Sequence, residues 1–304
     1  MTGLYWMGCS DQKFVKVFGE RNTGTRALIK MLAAQPEIRL QPCGEVAPSN
    51  RPQNFLLREQ IEMTYRGKWR KVYRDALFDT EHMTACPTQA WKHSLPVWDR
   101  AFKQKQARVI FCVRNPYSWI LSLSKRPYHQ RGPRTRSVSE LVSQPWLTLA
   151  RDNMAPLLRS PMDLWNYKLS AYREFAKVSD VPFQFLKFEE FVSAPEVEVR
   201  RVLGAFEVPS NQIRAIPNST KTKKTSLNDI AKYYETEEWR GNLTAELVSR
   251  INDLVDWELA EHFGYTRIDP ADFTVNPKTI TSRNWSRNHN SKSRSGSLSR
   301  NAHR

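Results

Sequence analysis

Cysteine is scarce. Of 304 residues four are cysteine, and Cys9, Cys43, Cys86 and Cys112 stand apart, with no Cys-x-x-Cys spacing and no histidine cluster. That scatter excludes the common zinc-finger and dithiol redox motifs and argues against a disulfide framework in a chain this long. No stretch approaches 20 apolar residues, so no membrane-spanning helix is expected. Residues 1–10 hold neither a basic start nor a long apolar run, so no signal peptide is expected and the location reads as cytoplasmic. No strand-to-helix loop ends in the Gly-Lys-Ser/Thr of a Walker A motif. Sequence-specific nucleic-acid readout is not expected, because no helix-turn-helix, zinc-finger or RNA-binding aromatic motif is visible. Acid is also in short supply: 31 Asp+Glu face 47 Lys+Arg, a net charge of +16. Six of those positive charges fall between Ser282 and Arg304, where there is no acidic residue.

What is present can build a core. Forty per cent hydrophobic and 11% aromatic residues suffice for one sizeable domain with a covering subdomain. The Ser/Asn/Arg composition of the end of the chain cannot form a core and reads as a disordered basic tail. The organisation expected is an N-terminal extension over 1–12, an α/β domain over 13–267 and the tail over 268–304. A positive body steers anionic ligands toward it.

Two segments look built for anions. Lys16 to Ile29 reads as a short apolar strand, a tight turn at Asn22-Thr23-Gly24-Thr25, and an amphipathic helix. Such a turn points successive N–H groups at one place and adds the positive end of the helix dipole. Arg108 to Ser122 reads as a buried parallel strand ending at Arg114, an Asn115 cap, Pro116 in the first helical turn, and Ser122 further along that helix. Alternating strands and helices predict a parallel sheet with helices on both faces, the ligand lying beyond the strand carboxyl ends. Strands are expected at 13–18, 71–74, 89–93, 108–113 and 182–187. Helices are expected at 24–34, 96–104, from 116, at 162–178, and through much of 195–263.

These two segments resemble the sulfotransferase superfamily, whose donor is 3′-phosphoadenosine-5′-phosphosulfate. Phe185 to Pro195 and His262-Phe263-Gly264-Tyr265 are similar to two later segments of that family, so the resemblance spans about residues 13–266. It implies a P-loop-like α/β fold and binding of the 5′-phosphosulfate by Arg21, Asn22, Thr23, Gly24, Thr25 and Arg26. It implies binding of the 3′-phosphate by Arg114 and Ser122, and a late basic loop with Lys223 and Lys224 as a clamp. The position before Thr23, often basic in the family, is Asn22, so the loop's positive charge must come from Arg21, Arg26 or elsewhere.

Sulfuryl transfer needs a cation at the leaving oxygen and a base at the acceptor. Trp91-Lys92-His93-Ser94-Leu95-Pro96 resembles the family's Lys-Thr-His-Leu-Pro, which implies Lys92 as stabiliser and His93 as base. The histidine arrives one residue early, which on a strand would turn it to the other face. Glu45, in Gln41 to Val46, matches the glutamate base of glycan-modifying members and stays open as the alternative. The acceptor implied is a hydroxyl or amine of a carbohydrate or small molecule, with no metal required. The basic segment Lys125 to Arg136 could guide an acidic acceptor, and Trp146, Trp165 and Tyr167 could line a groove or be core. Two other classes stay open: a P-loop-type kinase, with Asp75 as a weak Mg²⁺ ligand candidate, and a non-enzymatic binder of anions or nucleic acid. Oligomeric state is not readable.

Overall fold

The structure, a computed structural model, describes residues 12–41, 52–130, 135, 137–209, 213–214, 216 and 226–273. Among these, the strands are β1 (Lys13–Gly19), β2 (Ile38–Leu40), β3 (Arg108–Val113), β4 (Trp146–Leu147), β5 (Leu157–Leu158) and β6 (Phe183–Lys187). The helices up to the middle of the chain are α1 (Thr25–Ala33), α2 (Pro52–Thr64), α3 (Gly67–Met83), α4 (Arg100–Gln104), α5 (Pro116–Lys125) and α6 (Val138–Ser143). They continue as α7 (Pro161–Val178), α8 (Phe188–Ser193), α9 (Pro195–Ala205), α10 (Leu227–Glu235), α11 (Ala245–Leu254) and α12 (Trp257–His262).

The main sheet is wholly parallel, in the order β2-β1-β3-β6. Its central strands are buried on both faces, and the pleat divides them between two cores. Val15, Val17, Ile110 and Cys112 face α1, α8 and α9. Phe18, Val109, Phe111 and Val113 face α5, α7, α11 and α12. This is the α/β architecture with a central parallel sheet covered by helices on both faces. β4 and β5 form a separate antiparallel pair, Trp146 opposite Leu158.

Chain order reverses at the centre. From β1 the chain goes to β2 on one side and later to β3 on the other, so β1 and β3 are neighbours whose helices leave on opposite faces. The crevice beyond their carboxyl ends is the place where such sheets hold ligands. Phe18 stands opposite Phe111, with ring centroids 5.9 Å apart, just beneath it.

Two expected strands are absent. Residues 71–74 lie inside α3, which buries Leu77, Asp79, Glu81 and His82 in its second half. Residues 89–93 are a 3₁₀ turn, Pro87–Gln89, followed by irregular chain. β2 pairs only with the first half of β1, and over the second half this irregular segment takes its place through a single bond from the Gly19 N–H to the Lys92 carbonyl, 2.9 Å. One backbone bond does not make a strand.

Candidate functional site

The turn after β1 is shaped by two left-handed residues, Asn22 with φ 67° and Gly24 with φ 81°. Asparagine and glycine are the residues that tolerate this region. A Cβ on Gly24 would meet the Phe188 ring at 3.0 Å, and one on Gly19 would meet Thr25, Thr23 and Cys112 under 3 Å. Glycine at both places lets the loop lie close on the sheet. Thr23 Oγ donates to the Glu20 carbonyl at 2.6 Å and tightens the turn. α1 then starts at Thr25 with no side-chain cap and no acidic residue in its first turn. The Ala27 N–H already donates to the Gly24 carbonyl at 2.9 Å, and the positive end of the helix dipole is met by no acidic residue of the first turn.

A cavity of about 350 Å³ opens onto this helix start. Asn22, Gly24, Thr25 and Arg26 border it from the loop, and Trp91, Lys92 and His93 from the irregular segment. Asp75, Phe78, Tyr128, His129 and Arg151 complete the wall. Lys92 and His93 both border the cavity because the chain turns there. The alternation that would have separated them on a strand does not operate.

His93 has a defined tautomer. Its Nδ1 lies 2.5 Å from the Gly19 carbonyl, an acceptor only, so Nδ1 carries the proton and Nε2 holds the lone pair. Burial, then the Arg21 and Lys92 cations, hold its pKa well below the usual histidine range. At neutral pH it is an uncharged imidazole able to accept a proton. His129 is fixed the other way: its Nδ1 accepts from Arg21 Nε at 3.2 Å. Burial, then Arg21 and Arg151, push its pKa down to about 2.

Trp91 organises the wall between them. The Arg21 and Arg151 guanidiniums lie 5.0 and 4.5 Å from its ring, and the His93 and His129 rings meet it edge-on at 4.8 and 5.0 Å. Arg151 is itself held by Asp79 at 2.7 Å and Asp75 at 3.1 Å. Asp75 therefore sits on a helix in an ion pair with arginine, not at a strand end as the kinase reading required.

The two arginines at the strand ends are placed differently. Arg21 is 1% exposed and turns into the core, where Glu20 Oε1 lies at 2.7 Å and both oxygens of Asp152 at 3.0 Å. Buried Lys168 adds a second cation, 3.8 Å from Glu20 Oε2, and donates to the His93 carbonyl. Arg21 borders the cavity, but its charge is spent on these carboxylates. Arg114, also 1% exposed, donates to the Asn22 carbonyl at 2.5 Å, to Ser118 Oγ at 3.1 Å and carbonyl at 3.0 Å, and to the Tyr234 hydroxyl. The rings of Phe188 and Tyr234 flank it at 4.1 and 5.1 Å. Its bonds therefore run to Ser118, one turn into α5, and not to half-buried Ser122. Asn115 caps α5 as expected, accepting from the Tyr117 and Ser118 N–H groups.

Glu45, Lys223 and Lys224 lie outside the described residues. Trp146 and Trp165 are core side chains, Tyr167 is exposed, and none borders the cavity. Sequence reasoning missed Asp152, Lys168, Arg151 and Tyr234, each distant in the chain from the loops it braces. The only available signal was a charged or phenolic residue beside a helix or 3₁₀ turn, which is too common to single out.

Against known proteins, no family model matches the chain and no curated protein matches it. Among solved structures it is similar to the sulfotransferase domain from the curacin biosynthetic pathway, with 11% identity, TM-score 0.44, and coverage of 84% of this chain and 99% of that one. It is similar to the sulfotransferase domain of the Synechococcus PCC 7002 olefin synthase, with 14% identity, TM-score 0.43, and coverage of 84% and 96%. A sulfotransferase from Alicyclobacillus acidocaldarius matches at 16% identity and TM-score 0.36, covering 80% and 96%. Likenesses this distant assign no family to the chain.

Proposed function

We propose that this protein is a sulfotransferase that moves a sulfuryl group from 3′-phosphoadenosine-5′-phosphosulfate to a hydroxyl or amine of a carbohydrate or small molecule. The observation that carries the reading is the pairing, in one cavity, of an uncapped helix N-terminus with a neutral His93 of fixed tautomer. The first is an anion site and the second a proton acceptor, which are the two ends of an in-line transfer. The residues fit the donor's phosphosulfate: the start of α1 carries no acidic residue in its first turn, and Lys92 and Arg26 border the same space. When bound, the donor supplies an activated sulfuryl group on an anionic leaving phosphate.

The chain's own residues do the rest. N–H groups of Gly24 and Thr25, at the start of α1, hold the 5′ end. Lys92 places positive charge beside the leaving oxygen. His93 Nε2 takes the acceptor's proton while Nδ1–H stays on the Gly19 carbonyl, which keeps the ring aimed. Arg114, at the switch point between β1 and β3, fixes the Asn22 carbonyl and sets the shape of the loop. It also serves, with Ser122 and the Lys223–Lys224 segment, for the 3′-phosphate. Glu45 stays the alternative base.

The test is calorimetric titration with 3′-phosphoadenosine-5′-phosphate in EDTA beside an ATP control. Micromolar, metal-independent binding with preference over ATP is expected, and equal binding of ATP would move the kinase reading ahead. His93→Asn should leave that affinity unchanged and lower transfer by about 10²–10⁴-fold, the range for a general base. Unchanged transfer would pass the role to Glu45.

A further inference from the structure

Helix α3 is built with its apolar stripe on the outside. Trp69, Val72, Tyr73, Ala76 and Met83 recur at the three- and four-residue spacing of one helical face, and all are exposed, Trp69 by 64% and Met83 by 66%. In the second half of the helix Leu77, Asp79, Glu81 and His82 are buried, so the exposed stripe is fullest from Trp69 to Ala76. On the preceding helix, Leu56 is 67% and Met63 70% exposed. Single exposed apolar residues are ordinary, but a stripe on two successive helices marks an interaction surface.

Charge decides what covers it. From Met63 to Arg74 there are five basic residues, Arg66, Lys68, Arg70, Lys71 and Arg74, and no acidic one. Arg70 and Arg74 share Glu62, at 3.2 and 3.4 Å, while Lys68 and Lys71 are exposed beside Trp69 and Val72. A two-fold contact with a second copy would bring this basic face against the same basic face, a poor match in charge. Tryptophan and tyrosine interleaved with lysine and arginine on an exposed apolar helix are the chemistry of a helix lying in a lipid interface.

We propose that the α2–α3 hairpin docks on an anionic lipid surface, with Leu56, Met63, Trp69, Val72 and Met83 entering the headgroup boundary and the lysines meeting lipid phosphates. The inner side of the same helix supplies Asp75 and Phe78 to the cavity and holds Arg151. Docking therefore places the cavity about one helix diameter, roughly 10–12 Å, from the lipid. An acceptor displayed on that surface would be within reach, an extension that rests on the transferase reading, whereas the docking itself does not.

The experiment is co-sedimentation of the full chain with vesicles of phosphatidylcholine alone and of phosphatidylcholine with phosphatidylglycerol in equal parts, with no donor present. Binding to the mixed vesicles is expected, weakened but not abolished by added salt. The variant Leu56→Ser/Met63→Ser/Trp69→Ser changes only exposed positions. With unchanged circular dichroism it should lose about tenfold or more in partitioning. A companion variant replacing the six basic residues of 282–304 by serine should keep most of the binding. Three outcomes overturn the proposal: no binding by the full chain, equal binding by the hairpin variant, or loss confined to the tail variant. A dimer in sedimentation velocity that the hairpin variant dissociates also overturns it, assigning the face to a second copy. Because no donor is used, none of these outcomes bears on the transferase reading.

Discussion

Arg21 and Arg114 occupy equivalent places, each just past a central parallel strand and each 1% exposed. A tryptophan indole holds the backbone of both: Trp119 Nε1 donates to the Arg21 carbonyl at 2.8 Å, and Trp165 Nε1 to that of Arg114 at 2.9 Å. Their side chains part company. Arg21 sits among Glu20, Asp152 and Lys168, a buried set in which two carboxylates balance two cations. Arg114 is held by carbonyl and hydroxyl oxygens and two aromatic faces, and no carboxylate forms an ion pair with it among the described residues. The first arginine is structural and electrically spent. The second has no ion-pair partner among the described residues, and the nearest acid, Glu189, reaches it only through the shared Ser118 hydroxyl. Position in the fold does not by itself make an arginine an anion binder; its partners do.

The sharpest way to break this comparison is to remove the two guanidiniums in turn. Arg21→Met leaves Glu20 and Asp152 buried without their main partner, and should cost about 3–5 kcal/mol in urea unfolding. Combining it with Glu20→Gln and Asp152→Asn should recover much of that loss, because the uncompensated charge goes with the carboxylates. A stability loss under 1 kcal/mol for Arg21→Met would show that the network carries little. Arg114→Met should instead be read in ligand binding. Affinity for 3′-phosphoadenosine-5′-phosphate should fall by about 1.5–3 kcal/mol, the range for hydrogen bonds to a charged group. If titration gave the native affinity, Arg114 would not be an anion binder.

Gly24→Ala tests the loop between them. The left-handed backbone and the contact with Phe188 should cost about 1–2 kcal/mol of stability and weaken anion binding along with it. Loss of stability with unchanged binding would detach the loop from the anion site.

The effect confined to the narrowest window is a pH dependence specific to the Arg21 network. Burial lowers the Lys168 pKa to about 8, against 10.5 in the unfolded chain. Between those values the unfolded chain binds the extra proton, so this group makes stability rise with pH from 8 toward 10. Lys168→Met should remove that rise in urea midpoints measured across the window. Above pH 10 the raised Tyr172 and Tyr265 pull the other way, which sets the upper limit of the measurement. On the acid side His129, depressed to about 2, and His93 stay neutral when folded. Stability should therefore fall as pH drops below 6.5.

Much of the frame was legible before the fold was known. The strand at 108–113 and the helix over 162–178 are found within a residue of their expected limits, because continuous apolar runs and a Ser-Pro helix start are local signals. The strand expected at 89–93 was misread because Ala90-Trp91 looks like an apolar run, while what shapes that segment is a distant bond to Gly19. The strand at 71–74 was misread because Val72 and Tyr73, good strand formers, lie on the outer face of a long helix. At the site, the turn at Asn22–Gly24 and the Asn115 cap were readable from residue type. That His93 and Lys92 share a cavity was not, since it depends on the chain leaving extended geometry.

The sequence by itself determined the alternation of buried strands and helices, the two strand-end arginines and the excess of positive charge, because these follow from residue order and local conformation. Tertiary structure decided which arginine is paired with carboxylates, which ring nitrogen of His93 is bare, and which face of α3 meets solvent. Each of those is settled by a partner far away in the chain: Asp152 for Arg21, the Gly19 carbonyl for His93, and Arg151 against Asp75 and Asp79 for α3. Burial makes such pairings strong, and only folding brings them together.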